Sequence, residues 1–250
     1  MGREVVKLCH SGFRCAHIAL GVDVNAKGDE ADTVLCRFED IGAAAGIDCI
    51  IDFSHHSCTE SLMDFAVSNN IPTVVATTGH TEEELLVIEE AAKHIPVFHS
   101  GNMSLGIALL IELAKKTAEA MPEADIEIIE RHHNRKIDAP SGTALMIANA
   151  ICEVKEGATL NMGRAGHGKR TPEEIGIHSV RMGNIVGIHE VIVGTNNQTI
   201  TLKHEAHDRA LFAEGAIAAA SFLLGCDVGL YDMNSLITGG AKKTEEATSI

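Results

Sequence analysis

Short apolar runs of strand length alternate with helical patterns between residues 17 and 120, and few folds accept that order. Strand-like runs at 17–24, 49–53 and 72–76 are interleaved with 3.6-period patterns at 57–68, 82–94 and 106–120. This is the rhythm of a parallel sheet wrapped by helices, and it predicts an α/β lobe of nucleotide-binding type. The strand-to-helix turns are polar or glycine-bearing: Asp23-Val24-Asn25, Asp52-Phe53-Ser54, Ala76-Thr77-Thr78-Gly79 and Gly101-Asn102-Met103-Ser104. In open α/β sheets ligands bind at the carboxyl ends of the strands, so these turns are the expected ligand edge.

The rhythm changes after residue 104. A long helix is followed by strands at 125–129, 177–183, 188–194 and 198–204 with a helix near 143–154 among them, which reads as an α+β unit with an antiparallel-rich sheet. A chain of 250 residues with 45% apolar content holds one large core or two modest ones, and the change of pattern favours two. The stretch from Gly163 to Pro172, with Arg164, Lys169 and Arg170, reads as a mobile loop that either closes over an anionic ligand or is a solvated connector. An apolar helix near 209–224 and a tail at 226–237 follow, and the polar segment 241–250 is expected to fray.

A net charge of −15 and a pI near 5.3 argue against nucleic acid, whose phosphates would be repelled. The most apolar run, Ala216 to Cys226, falls short of the ~20 residues a membrane span needs, so a soluble, cytoplasmic chain is expected. Seven cysteines without Cys-x-x-Cys spacing or a secretory leader read as free thiols, Cys49 among them as core packing. Fourteen histidines show no helical His-x-x-x-His pattern, and no metal is expected.

The chemistry concentrates in Glu130-Arg131-His132-His133-Asn134-Arg135-Lys136-Ile137-Asp138-Ala139-Pro140-Ser141-Gly142-Thr143-Ala144, a strand-loop-helix connection. Backbone N–H groups of Ser141, Gly142 and Thr143 would open the helix, where unpaired donors and the positive dipole end attract an anion. Lys136 and Arg135 add cations, and His132 or His133 can supply a proton near neutral pH. The pocket suits a small carboxylate, although an isolated histidine or a Ser-Gly-Thr cap is ordinary in any fold.

The full string resembles the signature of the dihydrodipicolinate reductase (4-hydroxy-tetrahydrodipicolinate reductase) family, Glu-x-His-His-x-x-Lys-x-Asp-Ala-Pro-Ser-Gly-Thr-Ala, at every fixed position. The resemblance extends to Ile51-Asp52-Phe53-Ser54, Thr77-Thr78-Gly79, Asn102-Met103-Ser104 with Gly106, Arg181-Met182-Gly183 with Gly187 and His189, and Phe212-Ala213 with Gly215-Ala216. It implies a Rossmann-type dinucleotide-binding domain, 1–103 plus 208–250, and an α+β substrate and oligomerisation domain, 104–207, with a mixed sheet. It further implies a cytoplasmic homotetramer of lysine and diaminopimelate biosynthesis. The implied reaction, with NADPH or NADH, delivers hydride to C4 of the cyclic imine that 4-hydroxy-tetrahydrodipicolinate forms by losing water. By that resemblance His132 is the general acid, Lys136 binds a carboxylate and assists proton transfer, and His133, Ser141, Gly142 and Thr143 hold the dicarboxylate. Gly2, Ala76, Thr77, Thr78, Gly101, Asn102 and Met103 seat the cofactor.

The N-terminus departs from the pattern, because the expected first strand and glycine loop are represented only by Met1-Gly2. That reads as an internal start or a fragment, with a weakened dinucleotide lobe. The acidic residue expected at the end of the second strand is either Asp23, which favours NADH, or is replaced by Asn25, which with Lys27 favours NADPH. A thioester-forming aldehyde dehydrogenase would need a cysteine near the substrate loop, and none is there. The non-enzymatic alternative is an oligomerising or ligand-binding module.

Overall fold

The computed structural model describes residues 1–25, 34–35, 41 and 46–239. Along the chain run α1 (Gly2–His10), β1 (Gly21–Val22), β2 (Val34–Leu35), β3 (Ile50–Asp52), α2 (Thr59–Ser68), β4 (Thr73–Val75), α3 (Glu82–Ala91) and β5 (Pro96–His99). Then come α4 (Leu105–Ala120), β6 (Asp125–His132), α5 (Gly142–Cys152), β7 (Thr159–Asn161), β8 (Glu174–Arg181), β9 (Gly187–Gly194) and β10 (Thr199–Ala206). The chain ends in α6 (Ala210–Leu223), β11 (Gly229–Tyr231) and α7 (Met233–Thr238). Two units form, Met1–Ser104 with Ala210–Ile250, and Leu105–Arg209.

The first unit contains a parallel sheet in the order β11-β5-β4-β3. Its helices form where local chemistry demands them. Thr81 and Glu84 close a reciprocal capping box on α3, and three glutamates in the first turn complement the helix dipole. Leu62, Met63 and Ala66 of α2 and Ile88 and Ala91 of α3 then cover Val75 and Val97 of the sheet. On the α1 side, Val5 and Cys9 meet Ala213 and Ile217 of α6, with Ile51 and Phe53 packed against them.

One expected strand is much reduced. The run 17–24 keeps only Gly21–Val22 in a ladder, paired with Val34–Leu35 apart from the four-stranded sheet. Upstream, Gly12, Arg14 and Cys15 all take positive φ, which turns the chain between α1 and this run. Lys27, Cys36 and the tail 241–250 lie outside the described residues.

The second unit is a five-stranded mixed sheet, β10-β9-β6-β8-β7, in which β9 runs antiparallel to β6 and β10 while β8 runs parallel to β6 and β7. Ile126, Ile128, Ile175, Ile177, Val191 and Val193 supply its inner face, and Ile107, Leu110, Ile147 and Ile151 of α4 and α5 close over it. Two cations of the stretch expected to be a mobile loop, Arg164 and Arg170, are paired with the sheet. Arg170 bonds Asp125 (2.6 Å), Glu127 (3.3 Å) and the carbonyls of Ile126 and Glu174, and Arg164 pairs with Glu174. These guanidinium groups are spent on carboxylates of their own sheet and are not free to close over an anionic ligand. No helix among the described residues is long and apolar enough to cross a membrane.

Candidate active site

The period of β6 assembles the centre of the site. Alternation along an extended strand carries Ile126, Ile128, Glu130 and His132 on the buried face, so an acid and an imidazole two residues apart follow two core isoleucines into the interior. His132 Nδ1 lies 2.5 Å from Glu130 Oε2, with Glu130 fully buried and His132 8% exposed. A carboxylate only accepts, so Nδ1 carries the hydrogen and Nε2 is the ring atom left for chemistry.

Register supplies the neighbours. On β8, Arg181 is the partner of His132, and its guanidinium donates to both oxygens of Glu130 at 2.8 and 2.7 Å. On β9, His189 is the partner of Glu130, and its ring lies edge-on to His132 at 5.2 Å. Gly187 precedes it where a Cβ would stand 3.2 Å from His132 Nε2, so the absence of a side chain keeps that nitrogen uncrowded.

His133 points elsewhere, as adjacent residues of an extended segment must. Its backbone N–H bonds Ile185 O at 2.8 Å, and its Nδ1 is buried without a partner. Burial, then the charges of Arg135 and His132, push its pKa down. Arg135 turns away to Asn184 (2.6 Å).

Lys136 and the start of α5 form the anion cradle. Lys136 Nζ meets Asp138 Oδ1 at 2.9 Å, and the lysine, aided by the Gly142 N–H, holds the Asp138 carboxyl below its usual range. A carboxylate of the chain's own thus lies on the groups expected to take one from a ligand. Ser141 differs from the expectation of an open donor. Its N–H goes to Glu130 Oε1 (3.1 Å), while its hydroxyl caps Ala144 N (3.2 Å) and contacts His189 Nε2 (3.1 Å). At 2% exposure it is a buried support at the start of α5.

Buried and facing other imidazoles, His189 has its pKa pushed down from 6.5 to about 4. Above pH 6.5 the unfolded imidazole is neutral too, and stability is unaffected. Between pH 6.5 and about 4 the unfolded chain takes up a proton that the folded chain refuses, costing the fold up to ~3 kcal/mol. His189→Gln, which keeps an acceptor for Ser141, is expected to flatten the fall in melting temperature between pH 7 and 4. An acid profile parallel to that of the unsubstituted protein would exclude His189 as its source.

In the first unit, the strand ends carry the residues expected to seat a dinucleotide. Ala76, Thr77 and Thr78 follow β4, and Gly101, Asn102 and Met103 follow its parallel neighbour β5, so both turns lie at one edge of the sheet. Thr77 Oγ1 is buried there with no partner among the described residues, a polar group that a bound ligand would satisfy. The first turn of α1 has no side-chain cap, and among the described residues nothing lies within 4 Å of a Cβ placed on Gly2. Asp23 and Asn25 share the turn after β1, where Asp23 Oδ1 accepts from Asn25 N at 2.8 Å. These features fit a pyridine dinucleotide. Cys49 is partly buried and its thiol is pushed up to about 12, which disfavours the thiolate a nucleophile needs.

Glu130, Arg181, Gly187 and His189 had no assigned role in the sequence, although the alternation from Ile126 to His132 already places Glu130 beside the imidazole.

Two family models cover the chain, "Dihydrodipicolinate reductase, N-terminus" over residues 1–103 and "Dihydrodipicolinate reductase, C-terminus" over residues 106–237. The 4-hydroxy-tetrahydrodipicolinate reductase of Caldanaerobacter subterraneus subsp. tengcongensis is 51% identical over 242 residues, 96% of this chain and 95% of that one. Its namesake from Clostridium tetani is 41% identical over 240 residues, 95% and 92% of the two chains. The solved structure of dipicolinate-bound dihydrodipicolinate reductase from Paenisporosarcina sp. TG-14 matches with a TM-score of 0.74 at 25% identity, covering 93% of this chain and 94% of that one.

Proposed function

The chain belongs to the dihydrodipicolinate reductase family, and from that premise we propose how its residues divide the work of the reduction. The protein is an NAD(P)H-dependent oxidoreductase of lysine and diaminopimelate biosynthesis that converts 4-hydroxy-tetrahydrodipicolinate, through its dehydrated form, to tetrahydrodipicolinate. The alternative of a module without turnover has no support among the relatives, which are named as reductases.

Bound NADPH or NADH supplies the hydride. The turns 76–78 and 101–103, Gly2 at the start of α1, and Asp23 with Asn25 would hold it. Lys136, Gly142, Thr143 and His133 bind the carboxylates of the substrate. His132 Nε2 delivers the proton that the ring needs on the carbon beside the one that gains hydride, and Lys136 assists by steadying the charge. The observation that supports this assignment is the buried Glu130, which holds both the His132 ring and the Ser141 N–H at the start of α5 and so brings the proposed acid beside the proposed cradle, where Lys136 would exchange Asp138 for the substrate carboxylate. Assembly as a homotetramer through the mixed-sheet unit and residence in the cytoplasm belong to the same proposal.

The test is loss of reduced-cofactor absorbance with freshly generated 4-hydroxy-tetrahydrodipicolinate, using NADPH and NADH in turn, and dipicolinate as a competing dianion. Lys136→Ala is expected to lower kcat/KM by about a hundredfold, or ~2.7 kcal/mol, with both terms affected and dipicolinate binding weakened. A variant that lost only cofactor affinity would move Lys136 out of the substrate cradle.

A further inference from the structure

One carboxylate touches both halves of the substrate site. Oε2 of Glu130 holds the Nδ1 side of His132 at 2.5 Å, and Oε1 holds the Ser141 N–H at the cap of α5 at 3.1 Å. Arg181 bridges the two oxygens, and the same guanidinium donates to the Asp138 carbonyl at 2.6 Å, in the loop that carries Lys136. Glu130 is fully buried, and four donors on three segments converge on it: β6 itself, β8 and the α5 cap. Core packing alone would be served by an apolar side chain. A buried anion with this many directed donors costs desolvation and is useful where it fixes the orientation of the groups around it.

We propose that Glu130, clamped by Arg181, is the positioning residue that sets the tautomer of the His132 acid and locks it in register with the α5 carboxylate cradle. The inference rests on His132 being the proton donor. Both act through His132, Ser141 and the Asp138 backbone, which they hold directly. With Nδ1–H directed into the carboxylate, Nε2 is the nitrogen left to exchange a proton, and Glu130 is the anion in contact with the ring. The other titratable or charged groups facing His132 are Arg181 on β8, His189 on β9, and His133 and Lys136 in the loop after β6. Of these, His189 is kept neutral by its burial, and Arg181 is already neutralised by Glu130. Removing the carboxylate therefore leaves the Arg181 guanidinium without its partner beside the ring.

Two variants separate positioning from bulk stability. In Glu130→Gln the alkaline limb of the kcat/KM profile is expected to move to lower pH by about one unit. The double variant Glu130→Met with Arg181→Met removes anion and cation together, so it leaves no buried unpaired charge if the single variant fails to fold. In it, nitrogen NMR of the neutral His132 ring is expected to show redistribution from the Nδ1–H towards the Nε2–H tautomer. Turnover should fall at least tenfold, and dipicolinate affinity should drop as the cap loosens. An unmoved limb in Glu130→Gln with an unchanged tautomer in the double variant would overturn the inference, even if both enzymes were slow. A changed tautomer with an unmoved limb would keep Glu130 as the orienting group and remove His132 as the acid, which distinguishes failure of the functional assignment from failure of this one.

Discussion

Replacing His132 by glutamine lowers turnover by about 10²–10⁴-fold while leaving the fold and the affinity for dipicolinate nearly unchanged. The direction follows from what the substitution keeps. A glutamine amide can still donate to Glu130 Oε2, so the buried carboxylate retains four donors and the sheet around it has no reason to rearrange. What is lost is a group that can give up a proton near neutral pH. Binding of a dianion depends on Lys136, Gly142, Thr143 and His133, none of which is altered, so the defect should appear in kcat with KM little affected. Steady-state kinetics with saturating cofactor, paired with a dipicolinate titration, checks both halves. Turnover equal to that of the unsubstituted enzyme would remove His132 from the chemistry, and a matching loss of dipicolinate affinity would make it a binding residue instead.

How much of this was readable before the structure depends on how far apart the cooperating residues lie. The strand, loop and helix of 125–152 could be read locally, because alternation in β6, a Pro-Ser-Gly-Thr cap and an apolar helix all fall within one short window. The partners of His132 could not, since Arg181 and His189 reach it only through the pairing of β6 with β8 and β9, and register between distant strands leaves no mark in either run alone. Ser141 shows the opposite failure. It was expected as an open donor because a helix start offers unpaired N–H groups, but whether such a group is spent depends on the buried acid eleven residues upstream. The loop after β7 misled for a related reason: glycines and cations describe a solvated connector equally well as one pinned by Arg164 and Arg170 to carboxylates on the sheet. β7 and β11, three residues each, are too short for any period to register.

Gly215→Ala is expected to destabilise the first unit and to weaken dinucleotide binding, although helix propensity argues the reverse. Gly215 lies within α6, where alanine is ordinarily preferred by about 0.5–1 kcal/mol. Against that small gain stands a close approach of two backbones. A Cβ at this position would fall 1.7 Å from the Met103 carbonyl oxygen and 2.9 Å from its carbonyl carbon, contacts that no rotamer change can relieve because the obstructing atoms are main chain. Either α6 or the turn after β5 must move, and both are buried: Ala213, Ala216 and Ile217 flank the contact in α6, and Met103 is 2% exposed. Overpacking of this kind costs about 1–3 kcal/mol or more, which outweighs the propensity term and sets the sign. Displacement of Met103 carries Asn102 and Gly101 with it, so the cost reaches the edge where the cofactor is proposed to be seated. Thermal unfolding and calorimetric titration of NADPH and NADH, compared with the unsubstituted protein, should therefore show a lower midpoint together with weaker binding of both cofactors. A midpoint raised by the alanine would mean that α6 stands off from the turn in solution and that Gly215 is not needed for close approach.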